Sequence, residues 1–270
     1  MNVVVCCKDP DRSEALLRWL PWLSLTPDSA VTLLTVLGRH DPLPSVELPI
    51  PPGFPLTLTR RLRHGSAAVE ILAEVSEAGA DLVVCGWRTH RTTLGSTAER
   101  LFRACPANLL LVRPADVPLE GALICTGGES PSLDTLHSAA SLLNREQIRV
   151  GILHVMSQVA FSDASPHEDL LDSAESAVAR GTHEGLHLRR AAAVFQEAGF
   201  RGEVVPILRH GLVVDEVVAE LRQGKYELLV IGSRQPRTKR RWSDLLLEDV
   251  GADLASRAHC SVLLIRPAEG

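Results

Sequence analysis

The chain has 270 residues, of which 45% are hydrophobic and 23% are charged, with a formal net charge of −5. This length fits one large domain or two small ones. The negative charge gives no support for nucleic-acid binding by the chain as a whole. No apolar run reaches the roughly 20 residues that span a membrane. We therefore expect neither a nucleic-acid partner nor membrane insertion.

The N-terminus and the cysteines predict a cytoplasmic location. Residues 1–5, Met-Asn-Val-Val-Val, lack the basic region and the cleavage pattern of a signal peptide. The six cysteines form no Cys-x-x-Cys pair, and most of them lie in or beside apolar runs. That distribution is typical of buried, reduced thiols in the cytosol. A redox role for Cys7 or Cys85 is the less favoured alternative.

The first half of the chain alternates apolar runs with helical patterns. Pro21 is expected to shorten or kink the first helix. A loop at 40–55, which contains six prolines, is predicted where a second helix would otherwise stand. Ser66 and Gly79 are typical of the N-cap and the C-terminus of the next helix. The predicted strands are 3–7, 30–37, 56–62, 82–85 and 108–113, and the predicted helices are 13–25, 66–78 and 97–104.

The second half repeats the first. Residues 64–88 match residues 210–234 at an offset of 146, and the closing Arg-Pro pairs at 113–114 and 266–267 match at an offset of 153. The second copy therefore holds seven additional residues after Gly232. Two copies of one unit indicate two domains, which we place at 1–115 and 119–270. The predicted strands of the second unit are 122–126, 149–156, 203–208, 228–231 and 262–265, and the predicted helices are 132–143, 166–199, 213–222 and 250–258.

Buried strands between helices predict an α/β fold with a parallel sheet covered on both faces. The long helical segment 166–199 contains Gly181 and Gly185, where it could break, and its apolar positions are expected to cover its own sheet. A face that binds a partner is the alternative. In such folds, ligands bind at the carboxyl ends of the strands.

The stretch from Asp81 to Arg100 places a strand, a basic loop and a helix N-terminus in succession. The free N–H groups and the positive dipole end of a helix start favour a bound anion. Arg88, His90 and Arg91 in the loop would add positive charge. An exposed polar loop without a ligand is an equally weighted interpretation.

Several of these motifs together resemble the universal stress protein family in its tandem two-domain form. The resemblance covers nearly the whole chain. It implies two Rossmann-like domains, each with a five-stranded parallel sheet, packed as an internal pseudo-dimer through their last strands. The motifs that carry it are Asp9 and Ser13 after the opening strand, Arg63-His64-Gly65, Asp81-Leu-Val-Val-Cys-Gly86, Leu94-Gly95-Ser96-Thr97-Ala-Glu-Arg and the closing Leu-Val-Arg-Pro.

The resemblance also implies an adenine-nucleotide site in the first domain. ATP-binding members carry Gly-x2-Gly-x9-Gly-Ser/Thr after the fourth strand, together with an aspartate after the first strand that holds the ribose. Gly86 and Gly95-Ser96 fit the motif, Thr89 replaces its middle glycine, and the span from Gly86 to Gly95 is four residues shorter than the motif. Adenine is expected near Val36 and Cys7. The implied site for ATP, with or without Mg²⁺, comprises Asp9, Val36, Gly86, Arg88, Arg91, Gly95, Ser96 and Thr97.

The second domain lacks the same site in this interpretation. Counting back from Arg266, Glu248-Asp249 occupy the place of Gly95-Ser96, and two carboxylates at a helix start would repel a phosphate. Gly127 stands where Asp9 does, so the ribose ligand is missing. We predict that the second domain binds no ATP in the family manner.

The remaining polar features favour ordinary structural roles. The basic loop 234–241 could bind acidic partners or be a phosphorylation site, but a solvated, disordered insertion is the commoner explanation of such a charge run. His183 and His187 are spaced i,i+4, as metal ligands can be, yet solvent-exposed histidines are favoured. His64 and His210 occupy equivalent positions at strand ends, which suggests a structural role.

The sequence shows no Gly-x-Ser-x-Gly elbow, no Walker-type Gly-Lys-Ser/Thr and no cluster of metal ligands. The leading hypothesis is therefore a cytoplasmic stress-response or regulatory protein that binds ATP or another adenine nucleotide without strong turnover. The alternatives are a member of the same family that binds no nucleotide and acts through protein partners, and a slow ATPase with His90 as its only candidate base. Homodimerisation stays open.

Overall fold

The structure is a computed structural model, and ten strands and eight helices are described here. It describes residues 1–39, 41, 50, 54–87, 95–113, 118–127, 130–143, 148–156, 173–233 and 242–266, without the side chains of 10, 11, 130–132 and 242–249. The predicted Pro-rich loop, the basic loop 234–241 and the first part of the segment 166–199 lie largely or wholly outside these residues.

The first unit contains five strands, three helices and a short 3-10 helix at Leu20–Trp22. The first helix ends at Leu17, and the 3-10 helix contains Pro21, so the predicted interruption is confirmed although the predicted end at residue 25 is wrong. The elements are β1 (Asn2–Cys6), α1 (Pro10–Leu17), β2 (Ala30–Leu37), β3 (Leu58–His64), α2 (Ala67–Ala78), β4 (Leu82–Gly86), α3 (Ser96–Ala104) and β5 (Asn108–Val112).

The second unit repeats this order with more helix. The break predicted in the long helical segment occurs at Gly181, whose φ of 68° is in the left-handed region that favours glycine. Gly185 lies inside the following helix, where a Cβ would come within 2.2 Å of the Ala177 carbonyl oxygen. The elements are β6 (Gly121–Thr126), α4 (Ser130–Leu142), β7 (Arg149–Met156), α5 (Ala174–Arg180), α6 (His183–Glu197), β8 (Val204–His210), α7 (Val213–Gly224), β9 (Leu228–Gly232), α8 (Trp242–Arg257) and β10 (Ser261–Ile265).

All ten strands form one sheet with the order β3-β2-β1-β4-β5-β10-β9-β6-β7-β8. Within each unit the strands are parallel, and the two units meet where β5 pairs antiparallel with β10. The predicted pseudo-dimer through the last strands is thereby confirmed. One buried apolar cluster lies on each face of the sheet, and each cluster contains side chains of both units.

The pseudo-twofold relation extends beyond the sheet. Leu23 and Leu143 form an isolated antiparallel bridge, and Ser24 donates hydrogen bonds to the Leu142 carbonyl at 2.7 Å and, through Oγ, to the Leu143 carbonyl at 2.8 Å. On the same interface, the backbone N–H of Arg113 donates to Ser261 Oγ at 3.0 Å, and that of Arg266 donates to Asn108 Oδ1 at 2.8 Å. Equivalent residues of the two units therefore form reciprocal hydrogen bonds across the interface.

A repeated ion pair joins the edge strand of each unit to the following helix. Arg63 on β3 donates to Glu74 on α2 at 2.6 Å, and Arg209 on β8 donates from Nε to Glu220 on α7 at 3.0 Å. Glu74 and Glu220 are 3% and 6% exposed. Buried carboxylates need a partner of this kind, which explains why the arginine recurs beside an otherwise apolar repeat.

The helix at the C-terminal end of the second unit differs from its prediction. A start at Val250 was predicted, but α8 begins at Trp242 and has 16 residues, whereas α3 has nine. The seven additional residues of the second copy therefore lengthen the helix, and the loop before it is as long as in the first unit. Among the described residues, no helix is both long enough and apolar enough to cross a membrane.

Replacing Arg266 by methionine should weaken the interface between the units. Arg266 is 5% exposed, and its guanidinium donates to Ser233 Oγ at 2.7 Å and to the carbonyl of Phe102 in the first unit. Leaving these buried groups without their donor costs about 2–3 kcal/mol of unfolding free energy. Urea unfolding followed by circular dichroism measures the change.

Arg257→Met is the matched control, because its half-exposed side chain forms surface ion pairs with Asp253 and Asp215. Such pairs contribute at most about 1 kcal/mol. An equal loss of unfolding free energy in Arg257→Met and Arg266→Met would contradict the proposed contribution of the Arg266 contacts to stability.

Candidate functional site

The candidate site lies where the strand order of the first unit reverses. β1 has β2 on one side and β4 on the other, and chain connections leave the two central strands in opposite directions. In a doubly wound sheet, the crevice beyond the carboxyl ends of these two strands is the usual ligand site. Here β1 ends at Cys6 and β4 ends at Gly86.

Asp9 follows β1 directly at this edge and precedes α1. Its carbonyl oxygen accepts hydrogen bonds from the backbone N–H groups of Arg12 at 3.1 Å and Ser13 at 3.2 Å, and from the Cys7 thiol at 2.9 Å. Its carboxylate lies 3.7 Å from Arg12 Nε and is 52% exposed. Asp9 therefore makes the turn into the helix with its backbone and presents its carboxylate at the edge of the sheet.

Gly86 and Gly95 are loosely packed among the described residues. A Cβ added at Gly86 would meet Leu16 Cδ2 at 3.7 Å, an ordinary van der Waals contact, and one added at Gly95 would have no described atom within 4 Å. Neither glycine has a positive φ. Neither backbone conformation nor packing among the described residues therefore requires glycine at either position.

The N-terminus of α3 faces this edge without a side-chain cap. Gly95 is the N-cap residue, and it supplies no side-chain hydrogen bond to the first turn, which begins with Ser96 and Thr97. Helix starts leave N–H groups that an anion can satisfy. Ser96 is exposed and Thr97 half-buried.

The two residues predicted to contact adenine lie on opposite faces of the sheet. Val36 packs against the apolar cluster on the α2 and α3 face, whereas Cys7 belongs to the cluster on the opposite face. Their shared contact with adenine stays a prediction. Arg88, His90 and Arg91 lie outside the described residues.

Trp87, which the sequence analysis did not assign to any role, connects the end of β4 to the interface between the units. It is 3% exposed, and the Arg113 guanidinium carbon lies 4.1 Å from its ring centroid. Burial lowers the pKa of Arg113. The recurrence of Arg113 as Arg266 in the sequence could have indicated that both arginines have a structural role. The repeat does not predict their partners, because Arg113 stacks on Trp87 whereas Arg266 donates to Ser233, which stands at the position equivalent to Trp87.

The equivalent edge of the second unit is filled by its own side chains. A Cβ at Gly232, the counterpart of Gly86, would lie 2.2 Å from Thr135 Oγ1 on α4. Leu16 occupies the position of Thr135 in the first unit, and its Cδ2 would lie 3.7 Å from a Cβ at Gly86. Thr126 at the end of β6 is hydrogen-bonded to His187 Nε2 at 2.6 Å, and the His187 and His154 rings lie 5.9 Å apart.

Two details of the predicted second site are wrong. Glu248 and Asp249 are inside α8 rather than at its start, because the helix begins at Trp242, so the argument from two carboxylates at a helix start fails. The sheet register also makes Gly127 the counterpart of Lys8, and residue 128 the counterpart of Asp9. Residue 128 is again glycine, so the second unit still has no carboxylate at this position.

His187 is buried rather than exposed, which corrects the sequence interpretation, while His183 is exposed. Burial lowers the pKa of His187, and the nearby positive charge of His154, His183 and Arg190 lowers it further. Among the described residues, no group of three or more histidine, cysteine or acidic side chains is placed to hold a metal ion. His187 therefore serves as a neutral hydrogen-bonding group in the core.

The fold defines a duplicated, doubly wound α/β protein whose two carboxyl edges are packed differently. The family model described as "Universal stress protein family" matches residues 55–113 and 121–266. The chain belongs to the universal stress protein family. Residues 1–54, which include the Pro-rich stretch, lie outside the match. No curated protein matches the chain.

Solved structures agree with this fold. A universal stress protein from Archaeoglobus fulgidus DSM 4304 is 13% identical with a TM-score of 0.65, and the match covers 99% of this chain and 97% of that one. A putative universal stress protein from Pseudomonas aeruginosa UCBPP-PA14 is 15% identical with a TM-score of 0.60, covering 98% and 93%. A universal stress protein in complex with cAMP is 19% identical with a TM-score of 0.40, covering 56% of this chain and 100% of that one.

Acidification should destabilise the protein through His187. Its pKa is lower in the folded state, so the unfolded chain takes up a proton first as pH falls below the usual histidine value of about 6.5. The resulting loss of unfolding free energy is absent above that pH and grows as the pH decreases. Urea unfolding between neutral and mildly acidic pH should therefore show a steeper loss of stability in wild type than in His187→Gln.

Glutamine keeps a hydrogen-bonding group for Thr126 but does not titrate. His259, whose pKa is also lowered by burial, is retained in both proteins and supplies a common background. Parallel pH profiles for wild type and His187→Gln would show that His187 contributes nothing.

Proposed function

We propose that the first unit binds ATP or another adenine nucleotide in the crevice between the ends of β1 and β4. The carrying observation is the difference between the two units. Among the described residues, a Cβ at Gly86 would make only an ordinary contact with Leu16 at 3.7 Å, whereas one at Gly232 would clash with Thr135 Oγ1 at 2.2 Å. The looser packing at Gly86 supports a ligand beside the first unit.

The described residues fit the chemistry of a nucleotide. The Asp9 carboxylate is exposed at the end of β1, where it can accept hydrogen bonds from ribose hydroxyls. Gly86 and Gly95 allow phosphates to approach the backbone, and Ser96, Thr97 and the first-turn N–H groups of α3 supply donors to phosphate oxygens. Arg88 and Arg91 would add charge from the intervening loop, and Val36 would contact adenine.

We further propose that the protein acts in the cytoplasm as a nucleotide-responsive stress or regulatory protein. Bound ATP, with or without Mg²⁺, would change the outline and charge of this edge, which protein partners could then distinguish. Among the described residues near Gly86 and Gly95, no histidine or buried carboxylate stands ready as a general base, so binding rather than turnover is the proposed activity.

Calorimetry with ATP and Mg²⁺ tests the site. Wild type should bind one nucleotide per chain, and Gly95→Glu should weaken binding by about tenfold or more, equivalent to about 1.4 kcal/mol, because the new carboxylate repels and displaces phosphate. Gly127→Glu in the second unit is the matched control, since a Cβ at either glycine has no described atom within 4 Å.

Equal losses in the two variants would contradict the assignment to the first unit. An absence of heat with wild type at millimolar ATP would instead favour the alternative function through protein partners without nucleotide.

Incubation with ATP should leave the nucleotide intact. Chromatography should give the same ATP-to-ADP ratio as a protein-free control, because the crevice binds phosphates without an activated water. Hydrolysis that disappears in Ser96→Ala would establish the slow ATPase instead.

A further inference from the structure

Two cysteines of the first unit face each other at the carboxyl ends of β1 and β4. Cys6 is the register partner of Cys85 in the parallel pairing of these strands. Neighbouring strands lie about 4.8 Å apart, and Cα separations of about 4.4–6.8 Å accommodate a disulfide. Cys85 belongs to the apolar cluster on the α2 and α3 face, and Cys6 packs against that same cluster. The two thiols therefore lie side by side on one face.

The two thiols also interact directly. A hydrogen bond with Cys85 is the largest cause that raises the pKa of Cys6, followed by burial. Cys105 is a further thiol on this face, and burial raises its pKa to about 11. The raised pKa values keep Cys6 and Cys105 protonated at neutral pH, so oxidation through Cys6 should be slow and should accelerate as pH rises.

The second unit provides a natural comparison. Cys125 on β6 occupies the position of Cys6, but Ile231 on β9 occupies the position of Cys85 and Ala258 that of Cys105. The fold itself therefore does not require paired cysteines at this edge. Their pairing is particular to the unit with the candidate site.

We propose that Cys6 and Cys85 form a reversible disulfide when the protein reacts with a peroxide. One thiol, as its thiolate, attacks the peroxide and becomes a sulfenic acid while hydroxide leaves and is protonated to water. The second sulfur attacks the sulfenic sulfur, the S–S bond forms, and a second water leaves. Two thiols lose two electrons, hydrogen peroxide gains them, and two water molecules result. Thiol exchange restores the reduced pair.

The disulfide would tie together the two strand ends that carry the candidate site. Cys6 lies three residues before Asp9, and Cys85 immediately precedes Gly86. A covalent link would restrict how these ends adjust to a ligand. This consequence rests on the proposed nucleotide function, whereas formation of the disulfide does not.

Peptide mapping tests the link in the full chain. The protein is oxidised with hydrogen peroxide at neutral and alkaline pH, blocked with N-ethylmaleimide, digested with trypsin without reduction and analysed by mass spectrometry. We expect residues 1–8 joined to residues 64–88, and a loss of two of the six thiols after denaturation. Reduction with dithiothreitol should restore both thiols.

Variants identify which of the adjacent cysteines takes part. Cys7→Ser should keep the link, because Cys7 packs into the cluster on the opposite face, and Cys6→Ser should abolish it. Cys125 should remain a free thiol in all samples. A link through Cys7, a link between Cys85 and Cys105, or no link at any peroxide concentration that leaves the fold intact would overturn the proposal.

An ATP titration of the oxidised and reduced proteins separates the two proposals. Weaker binding after oxidation supports the regulatory consequence, and equal binding overturns that consequence while the disulfide stands. A reduced protein that binds no ATP contradicts the proposed function, and the peptide map still decides the disulfide.

Discussion

The antiparallel pairing of β5 with β10 is the constraint on which the molecule depends. Each unit has a parallel sheet with an edge strand at β5 or β10, and unpaired edges expose backbone groups that seek a partner. Pairing the two edges satisfies these groups and joins the apolar clusters on both faces. The arginines that close the units, Arg113 and Arg266, lie beside this seam and donate backbone hydrogen bonds across it. The duplication therefore also supplies the two edge strands that join the units.

Duplication allowed the two carboxyl edges to diverge inside one sheet. In the first unit Leu16 would lie 3.7 Å from a Cβ at Gly86, whereas in the second its counterpart Thr135 is packed closely on Gly232, with Thr126 and His187 hydrogen-bonded beside it. Close packing of the second edge gains dispersion contacts that the looser packing at Gly86 forgoes. That asymmetry places the candidate nucleotide site and the Cys6–Cys85 pair in the same unit.

Most elements could be predicted from the sequence because apolar runs and helical periods are local signals. The interruption at Pro21 and a break at Gly181 or Gly185 follow from such signals, whereas the pairing through the last strands was implied by the family resemblance. The start of α8 could not be predicted by counting back from Arg266, because a seven-residue insertion can lengthen either a loop or a helix. The burial of His187 was missed because its hydrogen-bond partner, Thr126, lies on another element and is far from it in the sequence. The candidate site was recognised from Gly86, Gly95 and Asp9, but the reason that its counterpart is closed required Thr135.

The sequence alone determined the duplicated α/β architecture, the family and the residues of the candidate crevice. These depend on periodicity, on glycine positions and on a repeat, all of which are visible in the sequence itself. Only the tertiary structure decided how closely the two carboxyl edges are packed and which cysteines are neighbours. Those properties depend on side chains from separate elements, such as Thr135 over Gly232 and Cys85 beside Cys6, that meet only when the strands are laid in register.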